Sequence, residues 1–174
     1  DICQGEMIIP SNTKIEPATI GALLAGGIQS VSVLEMPVIG IIPTGDEIVK
    51  PTPDPEKGKI IEFNSSVFSS MLAGWGGESK VYDIVPDKFE LIRDAAARAA
   101  AECDIVLINA GSSAGRDDYT SQVIRDLGEV LFHGISIKPG KPAILGVIEN
   151  KPVIGIPGYP VSGIIVMEQI VKKI

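Results

Sequence analysis

The sequence predicts a three-layer α/β/α domain on a mostly parallel sheet with an edge hairpin. Three observations carry that prediction. Val38–Pro43 is a continuous apolar run, as expected for a strand covered on both faces, and Ile105–Asn109 reads as a second buried strand. Helical stretches alternate with such runs, the pattern of parallel strands joined by crossovers. Glycine-bearing loops follow the strands, where α/β sheets hold ligands.

The elements follow in chain order. Ile2–Ile9 is short and strand-like. Pro17 opens a small helix through Ala25 that Gly26 and Gly27 end. Ser30–Leu34 alternates like a half-exposed strand, and a boundary near residues 35–37 separates this lead-in, 1–35, from an α/β domain, 36–174. After the first strand, Pro51, Pro53 and Pro55 rule out regular structure and mark a surface loop suited to folding over a ligand. Asn64 is read as the N-cap of a helix over 65–75, with Val67, Phe68, Met71, Leu72 and Trp75 on one face.

Lys80–Val85 reads as a strand. Asp87 with Glu90 resembles a capping box for a helix over 89–101, whose alanines allow close packing on a sheet. The loop 110–118 leads into a helix over 119–126. Glu129–Ile137 reads as a strand, and Ala143–Ile148 with Pro152–Ile156 as a hairpin at a sheet edge. Val161 onward is the final helix. The chain opens on Asp1 and stops inside that helix, so it reads as a segment of a longer polypeptide.

Composition narrows the function classes. Hydrophobic residues make up 45%, enough for a filled core, but aromatics are only 5%, so Ile, Val, Leu and Ala do the packing. A formal net charge of −7 argues against a general nucleic-acid surface while allowing a local basic pocket. Cys3 and Cys103 lie far apart with no metal-ligand spacing and read as ordinary thiols of a reduced, cytoplasmic compartment. No apolar run approaches the ~20 residues of a membrane span.

A parallel sheet gathers the loops at the carboxyl ends of its strands into one crevice. Three loops qualify: 44–47, 110–118 and 157–162. Gly45, Gly111, Gly115 and Gly158 permit close backbone approach, and Thr44, Ser112, Ser113 and Ser162 can donate hydrogen bonds to phosphate oxygens. Lys138 and Lys141 flank a Pro-Gly turn and suit an oxyanion. Glu47, Asp87 and Asp118 supply hard oxygen ligands for a divalent cation such as Mg²⁺. The same residues also fit plain roles: Asp46 and Glu47 as turn residues, Asp87 as a cap, the lysines as solvated turn ends. A dinucleotide fold fares poorly, because no Gly-x-Gly-x-x-Gly follows the first strand.

Thr44-Gly45-Asp46-Glu47, the Gly/Ser loop closed by Asp118, Lys138-Pro139-Gly140-Lys141-Pro142 and Pro157-Gly158-x-Pro160-x-Ser162 occur in this order. Together they resemble the molybdopterin-binding domain of the molybdopterin molybdenumtransferases, the MoeA and gephyrin E-domain family. The resemblance covers nearly the whole chain, with residues 1–35 resembling the stretch that belongs to a neighbouring domain. It implies a homodimeric enzyme of molybdenum cofactor biosynthesis. Such an enzyme inserts molybdate into adenylylated molybdopterin and hydrolyses the adenylate with a divalent metal. It further implies catalytic roles for Glu47, Asp87 and Asp118, with Glu47 and Asp118 on the metal. Ser113 would lie near the ligand phosphate, with Lys138 and Lys141 as the lysines of the Pro-Gly turn.

The chain departs from the family pattern at named places. Ala110-Gly111 stands for Gly-Gly, Tyr159 for an asparagine, and Gly134 for a residue that several members have basic. Gly134 and Tyr159 motivate an alternative reading, a non-catalytic molybdopterin carrier or sensor.

Overall fold

The computed structural model describes residues 2–110 and 119–174. They fall into two units, residues 1–35 and 36–174. In the first unit, α1 (Pro17–Ala25) starts with Pro17 in its first turn. It closes on two backbone bonds, Gly27 N–H to Leu24 O at 3.0 Å and Ile28 N–H to Leu23 O at 2.9 Å, which satisfy the orphan carbonyls of its last turn. Ile2–Ile9 and Ser30–Leu34 do not form the strands their patterns suggest. Alternation alone makes no strand; a ladder partner is needed, and among the described residues neither segment pairs within this unit.

The second unit is built on a six-stranded sheet in the order β4-β1-β5-β8-β7-β6. Its strands are β1 (Val38–Thr44), β4 (Glu78–Val81), β5 (Ile105–Ala110), β6 (Gly128–His133), β7 (Ile144–Ile148) and β8 (Lys151–Pro157). β4, β1, β5 and β8 run parallel, while β7 is antiparallel to β8 and to β6. The β7–β8 hairpin turns through Glu149 and Asn150, both at positive φ, the geometry of a two-residue loop. This is the predicted hairpin, but it lies inside the sheet; β6 forms the edge. β6 itself stops at His133 rather than Ile137, because the chain turns at Gly134 with φ 86°.

Helices cover both faces. α2 (Asn64–Trp75) and α5 (Pro160–Gln169) share one core with Ile39, Ile41, Leu107, Ile154 and Ile156. Alternate residues of the same strands, Ile42, Val106, Ile108 and Val153, face the other core with α3 (Phe89–Glu102) and α4 (Tyr119–Leu127). Each such fully buried branched side chain contributes roughly 1.5–3 kcal/mol. α3 presents Ala95, Ala96, Ala99 and Ala100 to the sheet, so it packs close. Its C-terminal carbonyl at Ala100 accepts from the Lys151 ammonium at 2.6 Å, a cation placed at the negative helix end. On the other face, a Cβ on Gly163 of α5 would fall 2.7 Å from Phe68 Cζ, so the closeness of α2 and α5 depends on glycine there.

A second, two-stranded parallel sheet joins β2 (Ile48–Val49) to β3 (Ile60–Ile61). The proline-rich stretch 50–59 is the connection between them, irregular as the sequence predicts.

Candidate functional site

The carboxyl ends of β1, β5 and β8 finish on one rung. Thr44 is paired with Ala110, and Ala110 with Pro157. The chain leaves β1 toward α2 on one face of the sheet and enters α4 on the other face after β5. β1 and β5 therefore flank the point where the connections diverge, and such a point opens a crevice.

Thr44, Glu47, Asn109 and Gly158 line a cavity of about 130 Å³ at this place. Of the predicted site residues it brings together Thr44, Glu47 and Gly158, and Gly45 and Pro157 adjoin them in the chain. Asp87 reaches the same corner, since Thr44 is bridged to Val85 and Gly45 N–H donates to Val85 O at 3.1 Å. Ser162 lies in the first turn of α5, whose positive end starts just after Gly158. Gly111, Ser112, Ser113, Gly115 and Asp118 lie outside the described residues.

The lysines stand differently. Lys138 and Lys141 are exposed on the connection from β6 to β7. His133 pairs with Ile144, and Ile144 with Gly155, so this connection leaves the sheet at the same edge as the crevice. Neither lysine lines the cavity.

Gly45 has φ 150°, a region open only to glycine, and a Cβ there would sit 3.0 Å from Glu47 Oε2. The turn thus folds Glu47 back beside its own backbone. Asp87 N–H donates to Asp46 Oδ1 at 3.2 Å. Burial first, then the Glu47 and Asp46 charges, push the Asp87 carboxyl above its usual range; its hydrogen bonds to the Asp46 backbone and the Thr44 hydroxyl act the other way. Asp87 is therefore no helix cap: α3 starts after Lys88 without a side-chain cap bond. Among the described residues no three His, Cys, Asp or Glu side chains assemble as a metal-ligand set. Glu47 and Asp46 bear on Asp87 with the same charge sign, and the Lys59 ammonium donates to the Asp46 carbonyl oxygen at 2.8 Å.

Two asparagines stand out that the motifs do not single out. Asn64 is not the predicted N-cap; it belongs to α2, and Glu62 Oε1 instead accepts from Ser65 N–H at 2.9 Å. The Asn64 Nδ2 group donates to Gly158 O at 2.8 Å and to Asn109 Oδ1 at 3.2 Å. Thr44 Oγ1 lies 3.5 Å from Asn109 O, its acceptor. These buried polar contacts tie α2 to the ends of β1, β5 and β8. A polar residue closing the apolar run Ile105–Ile108 was the available signal for Asn109; Asn64 gave none beyond its fit as a cap.

Residues 40–174 match the family described as "Probable molybdopterin binding domain". The chain is 34% identical, over 99% of its length and 45% of the relative's, to a Methanocaldococcus jannaschii protein named for molybdopterin biosynthesis. It is 29% identical to the molybdopterin molybdenumtransferase of Haemophilus influenzae, over 100% of this chain and 43% of that one. The solved MoeA molybdopterin biosynthesis protein of Pyrococcus horikosii superposes with a TM-score of 0.84 at 35% identity, covering 94% of this chain and 41% of that one. The chain thus spans less than half the length of these relatives. Ordered motifs, strand register and these likenesses agree, and the chain belongs to the molybdopterin-binding domain family, within the group of MoeA and gephyrin.

Proposed function

We propose that this chain is the molybdopterin-binding part of a cytoplasmic molybdopterin molybdenumtransferase, acting in molybdenum cofactor biosynthesis. The observation that supports the reading is the shared rung of Thr44, Ala110 and Pro157, at which the three strands that precede the motif loops end on one sheet edge. Thr44, Gly45, Pro157, Gly158 and Ser162 form its walls in this reading, and Gly111, Ser112, Ser113 and Gly115 cradle the phosphate. Lys138 and Lys141 face anionic ligand from the same sheet edge and offset oxyanion charge as it develops.

Glu47, Asp87 and Asp118 are the proposed acids. The crowded carboxylates at Glu47 and Asp87 suit a hard divalent cation, with Asp118 as a further ligand. Bound Mg²⁺ would polarise the phosphoryl oxygens of the adenylate. The chain's own part is to hold the adenylate against the acids and to keep molybdate close to the dithiolene. The full-length protein works as a homodimer in this reading, and residues 1–35 belong to its neighbouring domain.

The test is turnover by the full-length protein given adenylylated molybdopterin, Mg²⁺ and molybdate. Release of AMP that depends on molybdate is expected. Cofactor bound without any such release would contradict the enzymatic reading.

A further inference from the structure

The connection between β2 and β3 acts back on the turn that precedes β2. It leaves β2 through Lys50, whose ammonium pairs with Asp83 at 2.6 Å, and runs over Pro51, Pro53 and Pro55. It returns through a turn in which Lys59 N–H donates to Glu56 O at 3.0 Å, and enters β3 at Ile60. Two adjacent residues then reach the acidic turn after β1. The Lys59 ammonium donates to Asp46 O at 2.8 Å, and Ile60 N–H donates to Glu47 O at 2.9 Å.

Those two carbonyls belong to the peptide units on either side of the Glu47 α-carbon. A peptide unit is planar, so holding its oxygen also orients the N–H and α-carbon beyond it. Lys59 fixes the unit that enters Glu47, and Ile60 fixes the unit that leaves it. With both planes held, the direction in which the Glu47 side chain departs is set. Asp46 is gripped from its other end as well: the Asp87 carboxylate bonds its backbone, and Asp46 Oδ1 accepts from Asp87 N–H at 3.2 Å. Glu47 and Asp46 repel Asp87, and an ammonium laid on the same turn offsets part of that repulsion. Glu47 lines the cavity beside Thr44, whereas Lys59 does not.

We propose that Lys59 is a positioning residue for Glu47, holding that acid on the crevice wall without touching the ligand. The catalytic role of Glu47 rests on the molybdenumtransferase reading above; the clamp on its backbone does not. The connection 50–59 is then more than a cover: its returning end sets the acid.

The experiment compares three variants. Lys59→Met removes the donor and its charge while keeping a long stem, Lys59→Arg keeps both, and Lys57→Met serves as the control at an exposed position of the same connection. In the full-length protein, Lys59→Met should lower kcat for molybdate-dependent AMP release by about tenfold, with KM for adenylylated molybdopterin changed by less than about twofold. Lys59→Arg should recover most of the rate, and Lys57→Met should turn over like the wild type. Thermal unfolding of Lys59→Met should match that of Lys57→Met, because both side chains are exposed. Backbone amide NMR of the chain adds a readout independent of turnover. Lys59→Met should move the Glu47 and Ile48 signals, and Lys59→Arg should leave them near their wild-type positions. Wild-type kcat in Lys59→Met, a raised KM with kcat held, or an arginine variant no better than the methionine one would each overturn the proposal. If the wild type itself releases no AMP, the molybdenumtransferase reading falls and the amide signals alone decide: shifts confined to residues 58–60 would overturn the clamp.

Discussion

The side-chain amide of Asn64 donates to the carbonyl oxygen of Gly158 at 2.8 Å, across a separation of 94 residues. It joins the start of α2 to the loop after β8, and through Asn109 to the end of β5. The crevice is therefore braced by one buried amide as well as shaped by the sheet.

Asn64→Ala is expected to destabilise the chain by about 1–3 kcal/mol, because the Gly158 carbonyl and Asn109 Oδ1 lose their donor. Chemical denaturation measures it. Ser66→Ala, at an exposed position on the same helix, should stay within about 0.5 kcal/mol. Equal effects from the two would remove the brace from the account.

Asp87→Asn should stabilise the chain at neutral pH. The native state holds the Asp87 proton more tightly than the unfolded chain does, so wild-type stability falls as pH rises from the ordinary aspartate value of 3.8 through the raised one. The amide escapes that loss, and the difference should vanish at pH below the ordinary value. Millimolar Mg²⁺ should then narrow the gap at neutral pH by favouring the wild type. Thermal melts across pH, with and without Mg²⁺, give the answer; a variant less stable at neutral pH without metal would contradict the crowding of Asp87.

Gly45→Ala should cost roughly 1–3 kcal/mol, since alanine resists φ 150° and its Cβ would press on Glu47 Oε2. Ligand affinity should drop further than stability alone explains, because Glu47 is displaced. A melt and a binding titration on the same sample separate the two.

Lys138→Ala and Lys141→Ala should weaken molybdopterin binding most at low salt, with the difference shrinking as ionic strength screens the charge. Both side chains are exposed, so stability should hardly change. Affinity that is unchanged at low salt would take these lysines out of the anion site.

Strand and helix positions were legible because the apolar runs around Ile41 and Leu107 are continuous and α3 carries its alanine stripe. The crevice was legible for the same reason: parallel strands put Thr44 and Pro157 at one edge without any contact being visible in the sequence. The sequence suggests Asn64 and Asp87 as caps, because a cap and a long-range tether use the same short polar side chain and only tertiary contacts tell them apart; the caps are Phe63 and Lys88. Ser30–Leu34 failed for a related reason, as its alternation specifies a face but supplies no partner strand. Phe63 and Tyr159, which also line the cavity, had no periodic signature and come together only where α2 and the loop after β8 meet.

The most direct test is a backbone amide NMR titration of the chain with molybdopterin. The account predicts shifts concentrated at Thr44–Glu47, Phe63, Asn64, Asn109 and Gly158–Tyr159. Shifts concentrated instead at the opposite sheet edge, around Val38, Glu78 and Asp104, would contradict it.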